Sequence, residues 1–324
     1  MIYKLKSNRV QRTYVGGTRI DQFTGEALFG EGREYYPEDW TASVVTAMSG
    51  DKNSVPEGLG QTEENLLIKD IVGKDELCIL VKLLDSDERL VIQAHPTVEF
   101  ARRELNSPFG KTECWYFMDC TEDACVYLGF KQGVTRELWR KAIEEQNSEK
   151  LLSMLWKIPV KAGDFVFVDG GVPHAIGTGC FMIELQEPSD LMVVADKYTP
   201  SGRQIPDYRM DMGMGFEKAL DVYDYTTCSQ EKIMEKYCPA KKKVAEGIYE
   251  ILGTELTDKF SMYQLLGNAG LTITGKYAVA IVTEGEGMIN WKVVKKGERC
   301  FLQELTIGDL KRPSICGADL MRNR

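Results

Sequence analysis

Residues 160–176 read Val160-Lys161-Ala162-Gly163-Asp164-Phe165-Val166-Phe167-Val168-Asp169-Gly170-Gly171-Val172-Pro173-His174-Ala175-Ile176. A Gly-Asp turn feeds a short apolar run rich in β-branched and aromatic residues, a second turn follows at Asp169-Gly170-Gly171, and a histidine arrives just beyond it. Turn, strand and turn in so few residues are the signature of a compact β fold. The same period continues outward. Phe181-Met182-Ile183-Glu184-Leu185-Gln186 and Leu191-Met192-Val193-Val194-Ala195 read as further short strands, separated by Pro and Asp.

The stretch has a weak echo. Val160-Lys161-Ala162-Gly163-Asp164-Phe165-Val166-Phe167 is similar to Val294-Lys295-Lys296-Gly297-Glu298-Arg299-Cys300-Phe301. Each reads as strand, Gly-[Asp/Glu] turn, strand, the shape of a cupin half-motif. His174 stands eleven residues after Gly163, whereas Gly308 stands eleven after Gly297. Of two such units, only the first can therefore present a ligating histidine. Elsewhere, residues 77–84, 89–95, 111–118 and 124–130 read as strands, and short strands return from about residue 245. Thr62-Glu63-Glu64-Asn65 reads as the capped start of a short helix, and Pro96-Thr97 opens another. One region is clearly helical, Thr135 to about Trp156, with Leu138, Ala142, Leu151, Leu155 and Trp156 on its apolar side. The expectation is a mainly β protein of two cupin-type β jelly rolls with an α-helical insertion. It places a metal-binding unit at residues 1–225, the insertion at about 134–157, and a second, metal-free unit at 226–324.

Composition narrows the function classes. The 324 residues are 43% hydrophobic and 27% charged, with a net charge of −9. That is an ordinary soluble balance. An acidic chain without a basic run is a poor polyanion binder, so nucleic acid is not expected as a partner, although a few local cations can hold one phosphate. No stretch reaches the roughly 20 apolar residues that span a bilayer, and the first residues carry no apolar signal core. Nine cysteines, without a CxxC pair, suit a reducing cytoplasm.

There are two histidines, His95 and His174. Gln93 and His95 lie two apart near a strand end, so both side chains face one way. Lys111 and Glu113 share a face in the same manner. A carboxylate entering a barrel interior needs a counter-charge or a metal. Two imidazoles, one carboxylate and an amide oxygen form an N/O set suited to zinc, with room for water or substrate. Glu184 and Gln186 share a strand face and are candidates to line the same interior.

The stretches Gln93-Ala94-His95-Pro96, Gly110-Lys111-Thr112-Glu113-Cys114-Trp115-Tyr116 and Gly163-Asp164-Phe165 through Pro173-His174-Ala175-Ile176-Gly177 together resemble the type I mannose-6-phosphate isomerases, a zinc cupin family. The resemblance implies one zinc ion per chain at Gln93, His95, Glu113 and His174. It implies aldose–ketose interconversion of a hexose 6-phosphate through a cis-enediol, with Lys111 and Glu184 as candidate catalytic groups. A metal cupin that binds a sugar phosphate without turning it over is the alternative. Two departures stand out. Many members carry an arginine about twenty residues after the second histidine, where this chain has Val194, and Lys197 and Arg203 are the nearest cations expected to replace it. Tyr14-Val15-Gly16-Gly17 has Val where many members have Trp, while Asp39-Trp40-Thr41-Ala42-Ser43 keeps the resemblance.

Overall fold

A computed structural model describes residues 1–48, 57–73, 77–267, 269, 277–289, 292–303 and 318–323. Gly308 lies outside them. Two sheets build the amino-terminal jelly roll. One runs in the order Arg9–Val10, Glu38–Ala42, Leu80–Ser86, Cys180–Gln186, Glu113–Cys120, Phe165–Val168. The other runs Val193–Val194, Gln93–Ala94, His174–Ile176, Cys125–Phe130, Leu155–Pro159. All the pairings are antiparallel, so one face of each sheet turns to the common interior. The chain is mainly β, with cupin-type architecture and helices confined to connections.

A third sheet takes the order Ile2–Lys4, Arg299–Gln303, Tyr277–Val282, Ala318–Asn323, Phe260–Leu265, Ile248–Leu252, Lys242–Ala245. Its first strand comes from the opposite end of the chain: Ile2 pairs with Leu302 and Lys4 with Cys300. The 1–225 segment thus lends a strand to the carboxy-terminal sheet. The return is made by the helix Gln230–Tyr237, whose Ile233 and Tyr237 pack into the amino-terminal core, Tyr237 stacking on Phe167.

The central strands are buried on both faces: every residue of Leu80–Ser86, Cys180–Gln186 and Phe165–Val168 is buried. Leu83, Trp115, Phe117, Ile183 and Leu185 are fully buried, each worth about 1.5–3 kcal/mol of transfer free energy or more for the aromatics. The helical insertion departs from its expected outline. It is two helices, Arg136–Glu145 and Ser148–Ser153, broken where Gln146 takes a left-handed backbone and Asn147 caps the second. Trp156 belongs to the strand Leu155–Pro159, not to a helix. Leu138 is exposed, and the buried stripe is Trp139, Ala142 and Ile143 instead. Trp139 meets Phe130 at 4.9 Å and Tyr223 at 5.5 Å, so the insertion docks on the back of the five-stranded sheet. Thr62 does not cap a helix. It closes a bridge with Leu5, and the helix begins only at Ile68. Long-range pairing with the amino-terminal strand overrides the local capping signal there.

Candidate metal centre

The site forms where the two amino-terminal sheets meet at one end. Gln93 and His174 are direct partners across neighbouring strands, so their side chains share a face. Glu113 opens its strand in the other sheet, opposite Gln186 and Val168. Two tight turns bring in the rest. The amide of Lys111 donates to Pro96 O at 3.0 Å, and that of Gly171 to His95 O at 2.6 Å. The packing is close enough that a Cβ on Gly110 would stand 2.6 Å from Pro96 O, and one on Gly170 2.9 Å from Thr97 Cα. Glycine at both places lets the two turns approach.

His95, Glu113 and His174 are buried, and one ligand atom from each lies within 4.8 Å of the others. The rings are set by their second nitrogens. His95 Nδ1 donates to Leu191 O at 2.8 Å and His174 Nδ1 to Val172 O at 2.9 Å, which leaves each Nε2 with its lone pair facing Glu113. His174 Nε2 has no hydrogen-bond partner among the described residues, a costly state for a buried acceptor. Burial and the neighbouring His95 push His174 down to about 3, and burial and Lys111 also push His95 down. Both imidazoles are therefore neutral near pH 7, as ligands must be. Burial raises the Glu113 carboxyl, but Lys111 and His95 outweigh it and hold it well below the usual range. Two neutral imidazoles and one carboxylate with an orphaned acceptor fit a divalent cation. Gln93 faces the same space beside them.

Lys111 is buried with its Nζ 2.8 Å from Glu113 Oε2, 2.9 Å from His95 Nε2 and 3.6 Å from Glu184 Oε1. Burial depresses an ammonium, yet Glu113 and Glu184 prevail and keep it above the usual lysine value. Lys111 is thus a fixed charge. Glu184 behaves in the opposite way: burial lifts its carboxyl above the usual range despite Lys82 at 3.1 Å. Both residues line a cavity that opens beside Glu113, together with Val194 and the charged groups Arg12, Glu38, Lys82, Asp190 and Arg209.

No sequence pattern nominates those five charged residues. Arg12 is buried between Glu38 at 2.9 Å and Asp190 at 3.2 Å, and stands over the Trp40 ring. The Arg12–Asp190 contact spans 178 residues, a distance no local pattern reveals. Lys197 and Arg203 do not line the cavity among the described residues. Arg203 lies over the Tyr35 ring and donates to Arg12 O at 3.3 Å. Gln186 likewise turns aside, its Nε2 donating to Glu187 O and Ser189 O.

Fold and site together define a cupin-type protein with a buried His/Glu/His group able to hold a metal ion. No family model matches the chain. Among curated proteins it is 33% identical over 213 residues to the probable mannose-6-phosphate isomerase GmuF of Bacillus subtilis (strain 168), covering 65% of this chain and 63% of that one. It is 31% identical over 236 residues to mannose-6-phosphate isomerase ManA of the same organism, covering 70% of each. Two solved structures share the fold over their whole length. They are the mannose 6-phosphate isomerase of Bacillus subtilis (TM-score 0.73, 22% identity, 99% of each chain) and a lysine-to-alanine mutant of phosphomannose isomerase from Salmonella typhimurium (TM-score 0.72, 13% identity, 100% of each). The chain belongs to the mannose-6-phosphate isomerase family.

Proposed function

We propose that this protein is a zinc-dependent isomerase that interconverts mannose 6-phosphate and fructose 6-phosphate, with one zinc per chain at Gln93, His95, Glu113 and His174. The observation that carries the reading is the convergence of His95, Glu113 and His174, with Glu113 and Gln93 at the wall of a cavity that Lys111 and Glu184 also line. Zinc in that set supplies Lewis-acid polarisation of the sugar oxygens and a template for them.

The chain's own residues supply the remaining chemistry. Moving a proton between C1 and C2 needs a positioned base that can take up and return the proton. Glu184, lifted by burial, suits that role better than Lys111, which its carboxylate neighbours hold as an ammonium. Lys111 is the electrostatic partner for negative charge developing on the cis-enediol. Lys82 and Arg12 keep Glu38 ionised, and Lys82 also holds Glu184 at the cavity wall. Hydride or radical chemistry is not required, and a phosphate end can be met by the cations lining the cavity.

A cytoplasmic setting belongs to the same reading. Among the described residues Cys78, Cys114, Cys120, Cys125, Cys180, Cys228, Cys238 and Cys300 are free thiols, as a reducing compartment keeps them. No described helix is long and apolar enough to cross a membrane.

The test is a coupled assay on zinc-loaded protein with mannose 6-phosphate and, in the reverse direction, fructose 6-phosphate. Turnover in both directions, lost with a chelator and restored by zinc, is the expected result. Stoichiometric zinc without turnover of either sugar overturns the reading in favour of a binding protein.

A further inference from the structure

The cavity cations are not equivalent. Lys111 is held by Glu113 and His95, Lys82 by Glu184, and Arg12 by Glu38 and Asp190, each through a contact of 3.2 Å or less. Arg209 differs. It is buried on the short helix Asp207–Asp211 and lines the same cavity. Among the described residues its Nη2 has no hydrogen-bond partner, its ion-pair partner Asp190 stands 3.8 Å away, and its Nη1 meets the sulfur of Met192 at 4.0 Å. A buried guanidinium with unspent donors is costly unless something arrives to use them. Arg209 can give those donors to an anion without breaking a close ion pair, which Arg12, Lys82 and Lys111 cannot.

The position says which part of a substrate it meets. Gln93, Lys111 and Glu113 form the metal corner. Arg209 comes instead from the segment beyond the strand Val193–Val194, among Met192, Ile205 and Val194, an apolar wall that excludes water around the guanidinium. Val194 pairs with Gln93 across the sheet and clusters with Ile205, Met192 and Met210, so a small apolar side chain stands beside both Gln93 and the segment that carries Arg209. A tetrahedral oxyanion suits a guanidinium fork, which donates two parallel bonds to it.

Building on the proposed isomerase reading, we infer that Arg209 is a substrate-binding residue that grips the phosphate group of the sugar phosphate. Asp190 is its positioning partner. It holds Arg12 on one side and accepts the amide of Met48 at 2.9 Å on the other, so it orients Arg209 from a distance without neutralising it at close range.

The experiment uses the full-length zinc-loaded protein and inorganic phosphate as the probe. Calorimetric titration is expected to show phosphate binding to the wild type, weakened about tenfold or more in Arg209→Gln and less in Arg209→Lys, which keeps the charge but loses the fork. With mannose 6-phosphate, Arg209→Gln should raise KM by a similar factor while kcat and zinc content stay within about two- to threefold of wild type. Should Arg209→Gln fail to fold, Arg209→Lys alone decides: unchanged phosphate affinity and KM overturn the inference. Absence of phosphate binding to the wild type also overturns it, and so does a fall in kcat with KM unchanged, which would put the guanidinium at the reacting carbons. Phosphate binding that depends on Arg209 in a protein that turns over neither hexose phosphate would support the inference and defeat the isomerase reading.

Discussion

At the scale of single residues, charge placement divides the candidate metal corner into proposed ligands and proposed helpers. Removing a ligand and removing Lys111 should therefore give different phenotypes. His174→Ala and Glu113→Ala are expected to lose most of the bound zinc, measured by elemental analysis after gel filtration. Lys111→Ala should keep zinc and lose turnover, by about 10²–10³-fold if it serves the developing enediolate. Unchanged turnover in Lys111→Ala would return the residue to a structural role. Lys197→Ala and Arg203→Ala should leave kcat within about twofold, because neither lines the cavity and Arg203 is engaged with Tyr35 and the Arg12 carbonyl. The positions of the His/Glu/His group were legible in the sequence because metal chemistry needs rare residue types: with two histidines in the chain, both motifs could be found by eye. Arg12, Glu38, Lys82, Asp190 and Arg209 were not legible. Arg, Lys, Asp and Glu are common, and their membership of the site comes from strand pairings and loops remote in sequence, such as Asp190 with Arg12.

At the scale of elements, the helical insertion and the strand behind the site share one aromatic cluster. Phe130 stacks on Tyr225 at 5.3 Å and meets Trp139 edge-on at 4.9 Å, and its strand Cys125–Phe130 pairs with His174–Ile176. Trp139→Ala should cost about 3–5 kcal/mol of stability, the range for truncating a buried tryptophan. Urea unfolding measures the loss, and zinc stoichiometry in the folded fraction should be unchanged because Trp139 faces the outer side of that sheet. The strands themselves were readable from alternation and turns, as at Gly163-Asp164. The helices were read less well. The period pointed to Leu138, yet docking selected Trp139, one residue along, because the burial of an indole against Phe130 and Tyr223 outweighs that of a leucine. Local signals state that a helix exists, while the partner surface chooses its face.

At the scale of the whole molecule, the buried charge chain makes stability depend on acidity. Burial raises Glu38 and Asp190, but Arg12 together with Lys82 and hydrogen-bond donors at Glu38, and with Arg209, Lys82 and the Met48 amide at Asp190, outweighs it, and the folded carboxyls titrate below their ordinary values. Their contribution is therefore complete above the unfolded values of roughly 4, and is lost as pH falls through the folded ones. Glu184 and Asp85, raised by burial, act in the opposite sense and soften the approach to that limb. The melting temperature of the wild type should drop steeply below about pH 4, and Glu38→Gln should melt lower at pH 7 with a flatter acid limb. Equal slopes for the two proteins would remove Glu38 from the account. The exchanged strand has a consequence of another kind. Ile2–Lys4 zips along Arg299–Gln303, and the amide of Leu5 donates to Arg299 O, so this pairing closes a loop of nearly the whole chain. On a ribosome the first strand emerges long before its partner exists, and the entropy of so long a closure defers the contact. The edge of Arg299–Gln303 stays open until then, a template for another chain's strand. Refolding at rising protein concentration should therefore lose yield to association, and pulse-labelled hydrogen exchange should find the amides of Ile2–Lys4 among the last to be protected.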